Sequence, residues 1–139
     1  MKSRELERQA GKNMVTNYSV GDFLIRVKNA AIAKNKEAVV SKNNEIEMIA
    51  KCLKKMGYLD DVASEKGILK VQLSFRDKRP VITDIKLVSK PGRRVYMKVA
   101  ELLSKRGPSF YIISTPKGIV SSKEAKKLGV GGEVLAEIW

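Results

Sequence analysis

Between Ser19 and Ala31 the apolar residues Val20, Phe23, Leu24, Val27 and Ala31 recur at three- and four-residue spacing, the period of one helix face. Ser19 is placed to cap this helix, and Asp22 sits in its first turn, where a carboxylate suits the positive end of the dipole. Arg26, Lys28, Asn29 and Lys34 fall on or near the polar side. A short strand is expected at Glu37–Ser41. Asn44-Glu-Ile-Glu47 then has the form of a capping box, with Asn44 as cap. Ile46, Ile49, Ala50 and Leu53 carry the helical period to Met56, and Gly57 is the natural stop. Tyr58–Val62 and the alternating Leu69, Val71, Leu73 and Phe75 predict two strands joined by a turn over residues 64–67. Arg76–Pro80 is a turn, and Val81–Val88 predicts another strand.

The second half is more broken. Pro91-Gly92 favours a type II turn, and Val99, Leu102 and Leu103 outline a short helix ending before Gly107-Pro108. Phe110–Ser114 predicts a strand that is interrupted by Pro116-Lys117-Gly118 and resumes at Ile119-Val120. Ser121 and Glu124 form a second possible capping box, opening a helix through Leu128. Gly129-Val-Gly-Gly132 ends that helix, and Glu133–Trp139 is the last strand. These elements predict an α+β protein of two small lobes. Residues 17–77 form an N-terminal αβαββ lobe, and residues 78–139 a mainly β lobe with a short helix. Residues 1–16 are polar and read as a mobile extension, with Met14 a second candidate start.

Charge changes the picture most. The 139 residues hold 28 Lys plus Arg against 15 Asp plus Glu, a formal +13 spread along the chain. Such a charge repels itself in a small domain, and a polyanion relieves the repulsion. With 43% hydrophobic residues the chain can still build a core. No apolar run is long enough to span a bilayer, which points to the cytoplasm and away from a membrane partner. Cys52 is the only cysteine, so an intrachain disulfide is excluded, and its helical position suits a small apolar filler. Histidine is absent, which removes imidazole acid–base chemistry and Ser-His or Cys-His nucleophile pairs. Asp60 and Asp61 are adjacent and would point to opposite faces of a strand, so they make a poor metal or catalytic pair. Gly129-Val-Gly-Gly132 ends a helix instead of opening one, unlike a phosphate-binding loop. No cofactor, metal or enzymatic activity is expected.

The remaining chemistry concentrates at the end of the apolar run Phe110–Ile113, where Ser114 and Thr115 precede Pro116-Lys117-Gly118. Short hydroxyls donate and accept, so they can meet base edges or a ribose 2′-OH if the backbone comes close. Glycines at 118, 129, 131 and 132 would allow a close neighbour, an RNA backbone among the options. Lys117, Lys123, Lys126, Lys127, Lys90, Arg93 and Arg94 would supply phosphate contacts. Aromatic residues make up 6% of the chain, too few for extended single-strand stacking, so the target is structured RNA with an irregular element.

Three blocks make this specific: Ser89-Lys-Pro-Gly-Arg-Arg-Val-Tyr96, Ile113-Ser-Thr-Pro-Lys-Gly-Ile119 and Glu124-Ala-Lys-Lys-Leu-Gly-Val-Gly-Gly-Glu133. In that order they closely resemble the signature blocks of the bacterial small-subunit ribosomal protein S-eight family. Asp22-Phe-Leu-Ile-Arg-Val-Lys-Asn29 and Lys54-Lys-Met-Gly-Tyr58 are similar to segments of its first two helices. The resemblance, over about residues 18–139, implies a non-enzymatic constituent of the 30S subunit. It implies binding to the central domain of 16S rRNA, support of subunit assembly, and S-five and S-twelve as neighbours. Its own operon mRNA is a further partner that the family suggests, through translational repression. By the resemblance, the strongest RNA contacts fall on Ser114, Thr115, Lys117 and Gly118. Gly131, Gly132 and Glu133 support them, with Glu133 holding backbone donors, and Arg26, Lys28 and Asn29 add contacts from the other lobe. Two departures stand out. Pro116 replaces a serine of the family's Ser-Thr-Ser-Lys-Gly, removing a hydroxyl and a backbone N–H from the tip. Tyr18-Ser19 stands where the family has Asp-Pro.

Overall fold

The computed structural model of the protein describes residues 19–139, so the readings made for residues 1–16 lie outside the described residues. The chain runs α1 (Ser19–Ile32), β1 (Glu37–Ser41), α2 (Asn44–Met56), β2 (Leu59–Glu65), β3 (Ile68–Leu73), β4 (Phe75–Arg76) and β5 (Arg79–Pro80). It continues through β6 (Ile85–Leu87), β7 (Tyr96–Met97), α3 (Val99–Leu103), β8 (Phe110–Thr115), β9 (Gly118–Ser121), α4 (Ser122–Leu128) and β10 (Gly132–Ile138). The class is α+β, as the sequence predicts.

Two antiparallel sheets carry the architecture. The first has the order β1-β3-β2, and β3 shows the alternating burial that its sequence implies. The second has the order β6-β10-β8-β9, with β7 also pairing β10. The helices close both sheets. Phe23, Leu24 and Val27 of α1 and Ile49 and Leu53 of α2 join Leu69 and Val71 in the main core. That core continues into the second sheet through Ile85, Ile112, Leu135 and Ile138. Leu102, Ile113, Val120, Ala125 and Val134 form a smaller core where α3 and α4 cover the opposite face. Adjacent residues of one strand, Ile112 and Ile113, are therefore both fully buried, one in each core. Burying a side chain of that size stabilises by about 1.5–3 kcal/mol, so β8 is anchored from both sides.

Local signals explain the helix ends. Asn43, and not Asn44, caps α2: its side chain accepts the Ile46 N–H at 2.8 Å, and it is itself extended. Gly57 takes the left-handed conformation (φ 94°) that terminates α2. Ser121 caps α4 through the Glu124 N–H at 3.2 Å, while the Glu124 carboxylate reaches Lys55 at 3.0 Å instead of returning to the cap. Two strands differ from expectation. Phe75 leaves β3 to form a two-residue ribbon with β5, turning at Asp77 and Lys78, both at positive φ. The strand expected over Val81–Val88 shrinks to Ile85–Leu87; the Asp84 side chain takes the Ile85 N–H at its start, while the Asp84 carbonyl still accepts the Trp139 N–H.

Candidate nucleic-acid interface

The register of the second sheet lines up Tyr96, Glu133, Ser114 and Ile119. Tyr96 pairs Glu133, Glu133 pairs Ser114, and Ser114 pairs Ile119 across β7, β10, β8 and β9. Paired residues share a sheet face, so an aromatic ring, a carboxylate, a hydroxyl and an aliphatic side chain stand in one row. Tyr96 is 67% exposed. Ser114 is half-buried, and among the described residues its hydroxyl has no partner. Tyr96 is not among the contacts that the sequence predicts, although it stands two residues past Arg94 in the first signature block.

Thr115 does something different. Neighbouring strand residues point to opposite faces, so the two hydroxyls are not a matched pair. The Thr115 Oγ1 donates to the Gly118 carbonyl at 2.7 Å and accepts the Lys117 N–H at 3.1 Å. Its hydroxyl hydrogen is thus engaged in the turn, which holds Lys117 exposed at the tip and Gly118 at φ 116°. Pro116, which has no N–H, leaves that hydrogen-bond pattern intact.

The glycines divide. Space beside Gly118 and Gly129 is open. Beside Gly132 a Cβ would lie 2.1 Å from the Ser114 carbonyl oxygen, and beside Gly131 one would lie 2.3 Å from that of Met97. The close neighbour that these two glycines admit is therefore the chain's own backbone. They let β10 press against β8 and the start of α3, which sets the row in place.

The resemblance implies that Glu133 holds backbone donors; its side chain instead accepts from a guanidinium, with Arg94 Nη1 donating to Oε2 at 3.2 Å. The preceding loop is tied by Ser89, which is fully buried. Its Oγ accepts the Val95 N–H at 2.9 Å and donates to the Val95 carbonyl. A tight turn with reciprocal Lys90–Arg93 backbone bonds leaves both cations exposed. Together with Lys86 they edge a cleft of about 310 Å³ that Tyr111 and Glu137 also line. Burial, and secondarily the Glu137 carboxylate, push the Tyr111 phenol above its ordinary value.

Other candidates stand apart. Lys123 and Lys127 line a second cleft, shared with α2 and with Phe110. Phe110 lies four residues before Ser114, roughly 13 Å away along the strand. Lys28 of α1 pairs with Asp84 at 3.1 Å, and this bond holds the Asp84 carboxyl below its ordinary range. Asp84 adjoins Ile85, which pairs Ile138 at the far end of β10, five residues from Glu133 and roughly 17 Å distant. Arg26 and Asn29 remain exposed on α1.

Residues 19–139 match the model of the family described as Ribosomal protein S8. The chain belongs to the ribosomal protein S8 family. It is 41% identical over 121 residues to the small ribosomal subunit protein uS8 of Nitratidesulfovibrio vulgaris strain DP4, covering 86% of this chain and 96% of that one. It is 42% identical over 126 residues to the protein of that name from Geobacter metallireducens, with the same coverages. With that of Mycoplasma mobile the identity is 39% over 125 residues, covering 86% and 94%. As an S8-family chain it is a structural ribosomal protein and not an enzyme. No described helix is long and apolar enough to cross a membrane.

Proposed function

We propose that this S8-family chain is a structural constituent of the small ribosomal subunit that binds the central domain of 16S rRNA and supports 30S assembly. The observation that carries the reading is the row Tyr96–Glu133–Ser114–Ile119, with an exposed ring and a hydroxyl unengaged by described residues. A base stacks on Tyr96, and Ser114 meets a base edge or a 2′-OH in the shallow groove of an irregular helix. Thr115 shapes the turn that delivers Lys117 and Gly118. Lys90 and Arg93 take phosphates, which fix register without reading sequence, and Arg94, held by Glu133, contributes less. Arg26 and Asn29, exposed on α1, meet a second stretch of RNA, with Lys28 contributing less because Asp84 neutralises it. Residues 78–139 act as the RNA-binding lobe, and S-five and S-twelve are the protein neighbours proposed in the particle.

The test is binding to a central-domain fragment of 16S rRNA against an unrelated RNA duplex. Preference for the fragment is expected, together with a log K–log salt slope of roughly −5 if about six phosphates are neutralised. Equal affinity for both RNAs refutes specific recognition.

A further inference from the structure

The cleft between α2 and α4 has a volume of about 520 Å³ and a composition unlike that of the RNA-facing row. Its floor is formed by Met56, Phe110 and Leu128, of which Phe110 is 37% and Leu128 39% exposed. Lys55, Lys123 and Lys127 stand around it with one carboxylate, that of Glu124, so the lining keeps a net positive charge. Lys55 is held by Glu124 at 3.0 Å, but Lys123 and Lys127 have no partner among the described residues. They are four residues apart on one helix, so they share a face and repel each other. A like-charge pair beside exposed apolar surface costs free energy twice, and an occupant both acidic and apolar relieves both costs.

We propose that this cleft docks an acidic segment of another protein, which places one or two large apolar side chains on Met56, Phe110 and Leu128 and its carboxylates on Lys123 and Lys127. A second copy of this chain is a poor occupant, because two molecules of +13 repel each other. RNA fits less well, since the floor offers a thioether, a ring and an aliphatic chain where ribose and phosphate need donors. The cleft and the Ser114 row lie at opposite ends of β8, so both can be occupied at once.

The proposal is tested on the full chain with a fluorescein-labelled, C-terminally amidated peptide, Gly-Asp-Glu-Leu-Phe-Glu-Glu-Leu, by fluorescence anisotropy. Saturable binding with a Kd of about 10–100 μM is expected, weakened about tenfold or more by Leu128→Ser and by Lys127→Glu. Lys127 is exposed and its replacement leaves the floor in place, so loss with that variant is not a folding defect. Replacing the Leu and Phe of the peptide by Ser abolishes binding, and Leu128→Ser leaves affinity for the rRNA fragment unchanged within about twofold. Absence of saturable binding, or equal binding by both variants and the parent chain, overturns the proposal. Displacement of the peptide by the rRNA fragment, or an equal loss of RNA affinity in Leu128→Ser, assigns the cleft to RNA and overturns it as well.

Discussion

Gly132→Ala is the substitution that most directly tests how the Tyr96–Glu133–Ser114–Ile119 row is built. Its Cβ would lie 2.1 Å from the Ser114 carbonyl oxygen and 3.2 Å from the Ile113 Cγ2, against an ordinary contact of 3.4–4 Å. Both near groups belong to a strand buried in two cores, so β10 must recede by about 1 Å. At that separation a ladder bond of about 2.9 Å stretches to about 4 Å and is lost. Losing about two such bonds at roughly 1 kcal/mol each, with about 1–3 kcal/mol of overpacking, gives a destabilisation of about 3–5 kcal/mol. The assay is urea unfolding followed by the fluorescence of Trp139, the only tryptophan. With an m-value of about 2 kcal/mol/M the midpoint falls by about 1.5–2.5 M. Gly129→Ala is the control, because it has a left-handed φ of 71° but no atom within 4 Å, and it should cost about 1–2 kcal/mol. A Gly132→Ala protein within about 1 kcal/mol of the parent, or milder than Gly129→Ala, refutes the close-approach argument.

Ser114→Ala and Thr115→Ala should separate by stability. The first weakens rRNA-fragment binding by about 1–3 kcal/mol with unfolding changed by under about 0.5 kcal/mol, whereas the second also destabilises the turn by about 1 kcal/mol. Equal effects of the two on the urea midpoint contradict the different roles assigned to them. The Lys28–Asp84 pair should give a double-mutant coupling of a few tenths of a kcal/mol, since the Asp84 side chain is 48% exposed. Because the folded Asp84 value is depressed below 3.8, the coupling is complete above that value and disappears as pH falls through the folded one. A coupling that grows on acidification runs the wrong way. The Cys52 thiol, pushed up to about 12 chiefly by burial and then by Glu124, against the opposing effect of Lys55, carries about a thousandfold less thiolate than an ordinary cysteine. Modification by a thiol-specific disulfide reagent at pH 8 should therefore wait on unfolding, and rapid labelling of the native chain would contradict that burial.

Helices were legible in the sequence because their signals are local. The apolar period from Val20 to Ala31, the stop at Gly57 and the Ser121 cap each involve residues within about one turn. Asn43 and Asn44 are both able to cap α2, and only the position of Ile46 in the core decides between them. Strand partners depend on residues far apart. Nothing near Gly132 in the chain announces that Ser114 will sit against it, and nothing near Ser114 announces Tyr96. The site was legible as a set of residue types, and its blocks resembled a known family. Which hydroxyl stays available and which shapes a turn was not legible, because Thr115 depends on the conformation of Gly118. Nor could charge counting separate Lys28, neutralised by a loop more than fifty residues on, from Arg26.

The position of β10 has a consequence for timing. It is the last strand in chain order among the described residues, yet it lies in the middle of its sheet, bonded to β6, β7 and β8. A growing polypeptide that lacks it has neither Glu133 beside Ser114 nor a neighbour for Tyr96. On the proposed function, the row that meets RNA is assembled only once β10 has joined its neighbours.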